Sequence, residues 1–592
     1  MDDITETVRN ICGLPAVDNK IVIDNILADA NNDKTMLDYF QDNVKLVADQ
    51  TFLTQPMGNN IIMEWTYAEV LTEAKKVAAY IQSLDLPERS QIAILSKNCA
   101  WWVVTDIGIW LSGHVSVPIF PGLTAETTQY TLEHSESKLL FIGKLDEKPW
   151  EEQKGGIPEN LPTVSFPLSP ENSAKMPWKD TVAKMTPSEN LFKPEAESMA
   201  TIIYTSGSTG KPKGVMTSFK AMTAAARGLV KQIKITSSDR YLSYLPLSHG
   251  MERFTGLCIP MYAGMQVFYA ESISTFVDDL NRARPTLFVS VPRLWTKFQA
   301  GVFKKMSPGT LDTLLKVPLV NSLIRNKILA GLGLDCVRLA ASGSAPIPAE
   351  LLEWYRSLGL ELLEGYGMTE NFNYSHISKE GHSRAGYVGH TYEDVQCRIA
   401  QDGEIQVLTP GKMVGYFKNP DATKETITED GWVRTGDKGE IDEEGRLKIT
   451  GRTKEIFKTS KGKYVAPSPI EQMFVGHAMV ELACVCGSGQ PQPHVILQLA
   501  EDVKLKAIND GHFRQEVTTA LISHLTNVVN PSLDAHEQLD FVVIVAEDWL
   551  PENGFLTPTQ KIKRAKIDDS YTESIPDWYK EAKKVIFHGS WM

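Results

Sequence analysis

The chain has 592 residues, of which 42% are hydrophobic and 22% are charged. This composition excludes wholesale disorder, a collagen-like fibre and a coiled-coil rod, and it supplies apolar material for more than one core. The formal net charge of −13 argues against a nucleic-acid-binding protein, because such proteins need a basic surface to displace counterions from phosphate. A small anionic ligand remains compatible with this charge, since backbone N–H groups and a few lysines can hold it.

The chain lacks the usual signs of export or membrane insertion. Its first ten residues, MDDITETVRN, are acidic and contain no apolar core of a signal peptide. The most apolar stretch, 100–120, is interrupted by Asp106, Gly113 and Pro118, so it predicts a buried helix followed by a strand. Seven dispersed cysteines without a CxxC pair indicate free thiols in a reducing compartment. We therefore expect a cytoplasmic protein, with peripheral contact to a membrane left open.

Short apolar runs alternate with amphipathic stretches along most of the chain. Runs such as QIAILSKN, SKLLFIGK, MATIIYTS, PTLFVSVP and LDCVRLAAS are typical of buried strands. Between them lie helical patterns, for example at 71–84, where apolar residues recur every three or four positions. This alternation predicts an α/β fold with a largely parallel sheet that is covered by helices.

Changes in composition predict the domain organisation. Residues 145–198 are rich in Pro, Glu and Lys, which indicates a surface connection between two subdomains. From about residue 403, short runs with Asp/Gly turns predict antiparallel strands. We expect an N-terminal domain at 1–450, made of two βα subdomains and a small β-rich one. A hinge at 451–454 and a mobile C-terminal domain of mixed α+β type at 455–592 complete the prediction.

A glycine-rich segment follows a strand pattern at 199–205. Glycines let a backbone approach an anion closely, hydroxyls donate to its oxygens and lysines add positive charge, so the segment predicts a phosphate cradle. It is not a Walker A loop, because two residues instead of four separate its first two glycines and a proline follows Lys211. The cradle residues are Thr205, Ser206, Gly207, Ser208, Thr209 and Gly210.

The segment YTSGSTGKPKGV resembles the signature loop of the adenylate-forming enzymes. Further segments are similar to motifs of that family and occur in its order: EGYGMTE at 364–370, VRTGDKGEID at 433–442, GRTKEIFKTSKGKY at 451–464 and TPTQKIKR at 557–564. The resemblance runs from about residue 35 to the C-terminus. It implies that a carboxylate attacks the α-phosphate of ATP to give acyl-AMP and pyrophosphate, and that a thiol then displaces AMP.

The resemblance also implies roles for individual residues. The loop 205–210 is expected to hold the β- and γ-phosphates of ATP, while Thr205 and Glu370 hold Mg²⁺. Tyr366 is expected to stack on adenine, and Asp437 to accept hydrogen bonds from the ribose hydroxyls. The nucleotide-binding positions outside the loop are Gly343, Ser344, Ala345, Tyr366, Gly367, Met368, Thr369, Asp437, Arg452 and Lys561.

Three lysines are expected to serve the two half-reactions. Lys561 matches the catalytic lysine of the adenylation step, although Gln560 stands where the family usually has glycine. Lys454 matches the hinge about which the C-terminal domain rotates between the steps. Lys458 is then expected to approach the nucleotide in place of Lys561. The nucleotide is expected between the two domains, where shared sites are common.

The acid and the acceptor are predicted from a closer resemblance. The segments LPLSHGMERFTG at 245–256 and PTLFVSVPRLWTKF at 285–298 are similar to long-chain fatty acyl-CoA synthetases. We expect a long-chain fatty acid as substrate, His249 and Gly365 beside it, and coenzyme A as acyl acceptor. His249 is equally well explained as a packed histidine, and Glu252 with Arg253 as a pair on a helix surface. Two alternatives stay open, namely a ligase that loads an acyl carrier protein and a catalytically silent lipid- or nucleotide-binding homologue.

Overall fold

The computed structural model describes residues 34–205, 211–318, 320–345, 347–557 and 560–591. The chain forms two compact units. The first contains the residues up to Cys397 together with Gln406–Arg434, and the second contains Arg398–Ile405 and Thr435–Met592. Helices and parallel strands dominate the first unit, which confirms the predicted α/β fold. The domain boundary at 450 and the hinge at 451–454 stay predictions.

The strands fall largely where the apolar runs predict them, including all five runs quoted above. In chain order they are β1 (Thr51–Pro56), β2 (Ile62–Thr66), β3 (Gln91–Leu95), β4 (Val115–Ile119), β5 (Leu139–Ile142), β6 (Thr163–Ser165), β7 (Met176–Pro177), β8 (Met199–Thr205), β9 (Lys213–Ser218), β10 (Arg240–Ser243), β11 (Gln266–Tyr269), β12 (Leu287–Ser290), β13 (Leu339–Ser342), β14 (Leu362–Tyr366), β15 (His376–Ile377), β16 (His390–Thr391), β17 (Gln396–Ile399), β18 (Glu404–Leu408), β19 (Gly415–Tyr416), β20 (Val433–Ile441), β21 (Leu447–Arg452), β22 (Phe457–Lys458), β23 (Tyr464–Val465), β24 (Val480–Cys486), β25 (His494–Leu499), β26 (Val542–Val545) and β27 (Val585–His588).

The α-helices lie between these strands and cover the sheets. They are α1 (Met36–Leu46), α2 (Tyr67–Gln82), α3 (Ala100–Leu111), α4 (Ala125–Ser135), α5 (Glu147–Gln153), α6 (Phe219–Ile233), α7 (Gly250–Glu252), α8 (Ile259–Ala263), α9 (Phe276–Ala283), α10 (Pro292–Lys305), α11 (Pro308–Leu315), α12 (Val320–Gly331), α13 (Ala349–Ser357), α14 (Pro420–Thr426), α15 (Pro467–Val475), α16 (Glu501–Asn509), α17 (Gly511–His524), α18 (Arg564–Tyr571) and α19 (Ile575–Glu581). A π-helical segment, Arg253–Cys258, joins α7 to α8. Among the described residues, no helix combines the length and the apolar character that a bilayer-spanning segment needs.

The first unit contains two large, mainly parallel sheets. One has the order β16-β15-β14-β13-β12-β10-β11-β1-β2, and its six strands from β14 to β1 run parallel. The other has the order β19-β9-β8-β4-β3-β5-β6-β7. Its strands from β8 to β7 run parallel, β9 pairs antiparallel with β8, and β19 pairs antiparallel with β9. The antiparallel strands therefore lie at the sheet edges.

Helix α3 lies between these two sheets. Every residue of the helix is buried, as expected for a helix that is apolar on all sides. At its start the Ala100 N–H donates to Gln55 Oε1 of β1, and near its end Trp110 Nε1 donates to the Ala200 carbonyl of β8. The prediction of a buried helix followed by a strand at 100–120 is confirmed.

The prediction of a surface connection at 145–198 is wrong. Strands β6 and β7 within it extend the eight-stranded sheet, and Trp150, Val164 and Trp178 are buried. These strands are only two or three residues long, so frequent Pro and Glu residues between them concealed the pattern that a longer strand would show.

The second unit has its own sheets and cores. Strands β20 and β21 pair in antiparallel register, as the Asp/Gly turn between them predicts. The sheet β24-β25-β26-β27 is mixed and carries an apolar cluster on each face. Cys484 and Cys486 are free thiols buried in one of these clusters. Cys99, Cys258 and Cys397, in the first unit, are also free thiols, as predicted.

Candidate active site

Three of the predicted site segments follow parallel strands of the nine-stranded sheet. His249 follows β10, Gly343 follows β13 and Gly365 lies at the end of β14. The register pairs Ser290 with Ser342 and Ser342 with Glu364, so the carboxyl ends of β12, β13 and β14 are level. In open α/β sheets ligands bind at such ends. The structure therefore brings the predicted adenine and acyl segments to one edge of one sheet.

Gly343 lies close to the neighbouring strand end. A Cβ atom at Gly343 would stand 3.2 Å from the Gly365 carbonyl oxygen, so a larger residue would push the two segments apart. The next residue, Ser344, has φ +70° and is exposed, as is Ala345. This short turn offers backbone groups at the strand ends, as an adenine-side wall requires.

The segment after β14 forms a tight turn. A Cβ atom at Gly367 would stand 2.6 Å from the Asn373 Cα, which explains the glycine. The Met368 N–H donates to Asn371 Oδ1 at 3.0 Å, and the Met368 carbonyl accepts from the Asn373 N–H at 2.9 Å. Tyr366, at the start of this turn, is half-buried. The turn fixes the direction in which Thr369 and Glu370 leave the sheet.

Glu370 is hydrogen-bonded to a tyrosine from a different part of the chain. Its carboxyl group is largely buried, and Tyr416 Oη donates to Oε1 at 2.7 Å. Burial and the nearby Glu370 carboxylate raise the pKa of Tyr416, so its hydroxyl remains a hydrogen-bond donor. The Met413 N–H also donates to the Glu370 carbonyl, at 2.8 Å. The segment around β19 thus holds both the backbone and the side chain of Glu370.

Thr205 lies on the sheet to which Tyr416 belongs. It ends β8 and pairs with Lys213 of β9, while Val215 of β9 pairs with Tyr416 of β19. The two residues predicted to hold Mg²⁺ are therefore linked through adjacent strands and one side-chain hydrogen bond. A hydroxyl and a carboxylate are the oxygen ligands that Mg²⁺ prefers, so this donor set fits the ion.

The predicted phosphate cradle lies largely outside the described residues, which exclude 206–210. The lysines that follow it are described and lie over aromatic rings. Lys211 Nζ is 5.0 Å from the centre of the Tyr130 ring, and Lys213 Nζ is 4.9 Å from the centre of the Tyr416 ring. Cation–π contacts of this kind keep positive charge at the base of the loop.

His249 borders the turn that follows β14. Its Nδ1 accepts from the Met251 N–H at 3.2 Å and so caps helix α7. A Cβ atom at Gly250 would stand 2.8 Å from Asn373 Nδ2 and 3.6 Å from Thr369 Oγ1. The loop after β10 therefore packs directly on the turn that carries Glu370. His249 has a structural capping role, and its predicted contact with the acid stays a prediction.

Glu252 is an interior residue, which makes the idea of a surface pair with Arg253 wrong. Its side chain is fully buried and accepts from Ser243 Oγ at 2.6 Å and from Tyr241 Oη at 2.8 Å. Burial raises the pKa of this carboxyl to about 8. Glu252 thus joins helix α7, which follows His249, to strand β10.

Arg253 pairs with an aspartate of the central helix instead. Its Nη1 and Nη2 donate to the two oxygens of Asp106, at 2.9 and 3.3 Å, and both side chains are fully buried. Trp102 Nε1 donates to the same carboxylate at 3.0 Å. A single Asp in an otherwise apolar helix was the sequence signal for this pair, because a buried charge requires a partner.

Sequence reasoning assigned no role to Glu364, although it belongs to the EGYGMTE segment. Its side chain is buried at the carboxyl end of β14, and burial raises the pKa of this carboxyl to about 8. Glu364 Oε1 and Ser342 Oγ both have no hydrogen-bond partner among the described residues. Since these residues are register partners, two buried polar atoms face the same side of the sheet beside Gly343.

In the second unit, Asp437 and Arg452 form an ion pair. The two residues are register partners on β20 and β21, and Arg452 Nε donates to Asp437 Oδ1 at 2.7 Å. Asp437 is buried, whereas about half of the Arg452 side chain is exposed. The pair brings together two predicted nucleotide-binding residues that are 15 positions apart in sequence.

Lys561 is exposed in a short loop that closes on itself. Its N–H donates to Thr557 Oγ1 at 3.1 Å, and its carbonyl accepts from the Thr557 N–H at 2.7 Å. Gln560 has φ +62°, a left-handed conformation that glycine adopts without strain. The backbone thus has the shape that the usual glycine would give, although this chain carries Gln.

Arg564 is a structural residue, unlike the two exposed lysines before it. Its Nη1 and Nη2 donate to the two oxygens of Glu471, at 2.5 and 3.0 Å. Nη1 also donates to the Val485 carbonyl at 3.0 Å. This buried fork anchors the segment that carries Lys561 to helix α15 and strand β24.

The two other predicted lysines lie near the end of β21. Lys454 is exposed in the turn between β21 and β22, and Lys458 is exposed on β22 with its Nζ 5.4 Å from the centre of the Tyr464 ring. Their roles in a hinge and in the second half-reaction stay predictions.

Comparison with models of protein families identifies the family to which this chain belongs. The family described as AMP-binding enzyme matches residues 40–417, and the AMP-binding enzyme C-terminal domain matches residues 454–583. The chain belongs to the AMP-binding enzyme family. The resemblance to adenylate-forming enzymes is thereby confirmed.

Two curated relatives and one solved structure are similar to this chain over most of their length. The peroxisomal long chain acyl-CoA synthetase 6 of Arabidopsis thaliana is 31% identical, over 87% of this chain and 81% of the relative. The long-chain-fatty-acid–CoA ligase FadD15 of Mycobacterium bovis is 29% identical, over 89% of this chain and 94% of the relative. The crystal structure of the anthranilate CoA ligase AuaEII with anthranoyl-AMP has a TM-score of 0.74 and 22% identity, over 93% and 99% of the two chains, and shows the same fold.

Proposed function

We propose that this chain activates a long-chain fatty acid with ATP and transfers the acyl group to coenzyme A. The observation that carries the proposal is the link between Thr205 and Glu370. Thr205 ends β8, next in sequence to the loop that fits a phosphate cradle, and the Glu370 carboxylate accepts a hydrogen bond from Tyr416 of β19, which belongs to the same sheet as β8. The relatives named as long-chain acyl-CoA synthetases and long-chain-fatty-acid–CoA ligases, similar over most of the chain, support the choice of acid and acceptor.

In the first step, a carboxylate oxygen of the acid attacks the α-phosphorus of ATP. A P–O bond forms, the bond to the bridging oxygen breaks, and pyrophosphate leaves with the released electron pair. The loop 205–210 holds the β- and γ-phosphates, and the ammonium group of Lys561 neutralises charge at the α-phosphate as it develops. Thr205 and Glu370 would hold Mg²⁺, which supplies neutralisation of phosphate charge when bound.

The nucleotide is positioned by residues of several segments in this proposal. Tyr366 presents a half-buried ring to adenine, and the turn Gly343–Ser344–Ala345 presents backbone groups. Gly367, Met368 and Thr369 form the turn that leads to Glu370. Asp437, with Arg452 beside it, accepts hydrogen bonds from the ribose hydroxyls. We propose each of these residue roles, and each can be tested by substitution.

In the second step, the thiol sulfur of coenzyme A attacks the carbonyl carbon of acyl-AMP. A C–S bond forms, the C–O bond to AMP breaks, the thiol proton passes to solvent, and AMP leaves. Lys454 serves as the hinge and Lys458 replaces Lys561 beside the nucleotide. His249 and Gly365 lie beside the acid. Gly365 lies at the end of β14 and His249 in the loop that follows β10 of the same sheet, which supports their assignment to one substrate.

The alternatives carry less support. A silent homologue has no need for Thr205, Glu370, Asp437 and Lys561 together, yet this chain retains all four. A carrier-protein ligase is not favoured by the relatives, whose names specify coenzyme A. The cytoplasmic location stays a prediction.

Product analysis tests this proposal. The purified protein is incubated with MgATP and a series of carboxylic acids from acetate to long-chain fatty acids, with and without coenzyme A. We expect AMP and acyl-CoA from the long-chain acids when coenzyme A is present. Acyl-AMP that reacts only with a carrier protein would support the first alternative, and absence of any acid-dependent product would contradict the proposal.

A further inference from the structure

A strongly basic stretch interrupts this acidic chain. Residues 292–331 contain seven basic residues, one Asp and no Glu, so their formal charge is +6, whereas the whole chain carries −13. Six of the seven basic side chains are exposed, and Arg325 is half-buried. The basic residues are Arg293, Lys297, Lys304, Lys305, Lys316, Arg325 and Lys327.

This basic segment, defined as residues 292–331, is helical but contributes little to the core after its first turns. It consists of α10, α11 and α12, and α11 packs against α12. In its described residues from 301 onward, Leu311 is the one buried side chain, and α12 buries none. The helices therefore present most of their surface outward.

Exposed aliphatic side chains accompany the positive charge. Leu323 is 69% exposed and Val317 is 41% exposed. Leu323 and Lys327 are four residues apart on α12 and so share one face. Val320 and Ile324, which are half-buried, flank Leu323 on that face. A helix with lysines beside exposed aliphatic residues is typical of proteins that lie in the interface of a membrane.

We propose that the basic segment docks this protein on the surface of a bilayer that contains anionic phospholipids. Negative headgroups attract the basic side chains, and the outer acyl region accepts Leu323 and Val317, so one partner satisfies both features. Nucleic acid would satisfy the charge but leave the aliphatic side chains in water. The inference goes beyond the proposed function, because it concerns the surface on which the protein acts. It does not depend on which acid is activated.

Vesicle sedimentation tests the docking. The full-length protein is mixed with vesicles of phosphatidylcholine, with or without phosphatidylglycerol, in the absence of fatty acid and ATP. We expect binding to the anionic vesicles that weakens with salt, and little binding to neutral ones. The triple variant Lys305→Gln, Lys316→Gln and Lys327→Gln should bind about 100-fold more weakly, since each lysine near an anionic surface contributes about fivefold. Leu323→Ser should weaken binding about tenfold through the lost apolar contact.

A second triple variant controls for total charge. Lys154→Gln, Lys184→Gln and Lys231→Gln remove three partly exposed lysines elsewhere in the first unit. This variant should sediment like the wild type, and circular dichroism checks that all variants are folded. Equal loss of binding in both triple variants, equal binding to neutral vesicles, no binding by the wild type, or release from vesicles by an oligonucleotide would each overturn the proposal.

Discussion

The phenol of Tyr416 donates a 2.7 Å hydrogen bond to the carboxylate of Glu370. The two residues lie 46 positions apart, so tertiary structure alone brings them together. Tyr416 belongs to β19, which is two strands from Thr205 of β8. The bond therefore ties one proposed Mg²⁺ ligand to the sheet that carries the other.

Tyr416→Phe should weaken the use of MgATP. The change removes one hydrogen bond to a carboxylate, which is worth about 1.5–3 kcal/mol, so we expect the KM for MgATP to rise at least tenfold. The control is Tyr355→Phe, which removes a buried 2.7 Å hydrogen bond to the Trp295 carbonyl away from these residues. Both variants should lose stability, but an equal KM in Tyr416→Phe and wild type would show that the bond does not serve metal or nucleotide binding.

Lys561→Ala should separate the two half-reactions. We expect acyl-AMP formation to fall about 100- to 1000-fold, as is usual when one group that stabilises transition-state charge is removed. Conversion of supplied acyl-AMP to the thioester should remain. Lys563→Ala is the matched control, because Lys563 is also exposed and lies two residues away. Parallel loss of both half-reactions in Lys561→Ala would refute the division of labour.

Arg564→Ala should first of all lower the stability of the second unit. It leaves the buried carboxylate of Glu471 without its ion-pair partner, a change that costs about 3–5 kcal/mol. We expect the thermal transition of the second unit to fall, and acyl-AMP formation to fall with it because the Lys561 segment loses its anchor. The double variant Arg564→Met with Glu471→Leu removes both charges and should recover much of the stability. A thermal scan in which Arg564→Ala matches the wild type would contradict this anchoring role.

Glu252 should make stability depend on pH. Burial raises its pKa from about 4.5 to about 8. Between these two pKa values the Glu252 carboxyl is ionised in the unfolded chain and protonated in the folded chain. The free energy of unfolding therefore falls by about 1 kcal/mol for each pH unit that the pH rises, and the loss is complete above pH 8. Glu252→Gln removes this loss. Relative to wild type, its denaturation midpoint should therefore increase from pH 5 to pH 8.

A control separates this effect from general charge. Glu189→Gln changes a carboxylate whose side chain is 84% exposed, so its difference from wild type should stay constant over the same pH range. A constant difference for Glu252→Gln as well would show that Glu252 ionises normally in the folded protein.

The sequence predicts the strands and motifs of the site better than the tertiary contacts that hold them in place. Apolar runs locate β8, β12 and β13, and the motifs that resemble those of adenylate-forming enzymes supply Thr205, Gly343 and Glu370, because both are read from short local segments of the chain. Tyr416 could not be found in this way, since its contact with Glu370 depends on the pairing of β19 with β9. The motif GRTKEIFKTSKGKY was likewise visible, whereas the anchoring of Arg564 by Glu471 was not.

Buried charge was the least predictable feature. Glu252 and Arg253 are adjacent and of opposite sign, so a local reading pairs them with each other on a surface. The fold instead directs Glu252 to Tyr241 and Arg253 to Asp106, because each side chain enters a different part of the interior. Such partners depend on which helix crosses between the sheets, and the spacing of charges along the chain does not contain that information.

Exchange of labelled pyrophosphate into ATP, measured without coenzyme A, tests the central claim most directly. It reports reversible formation of acyl-AMP alone. We predict Mg²⁺-dependent exchange that requires a long-chain fatty acid and that disappears in Lys561→Ala and Glu370→Gln. Absence of exchange with every fatty acid, or release of ADP and phosphate in its place, would contradict the account.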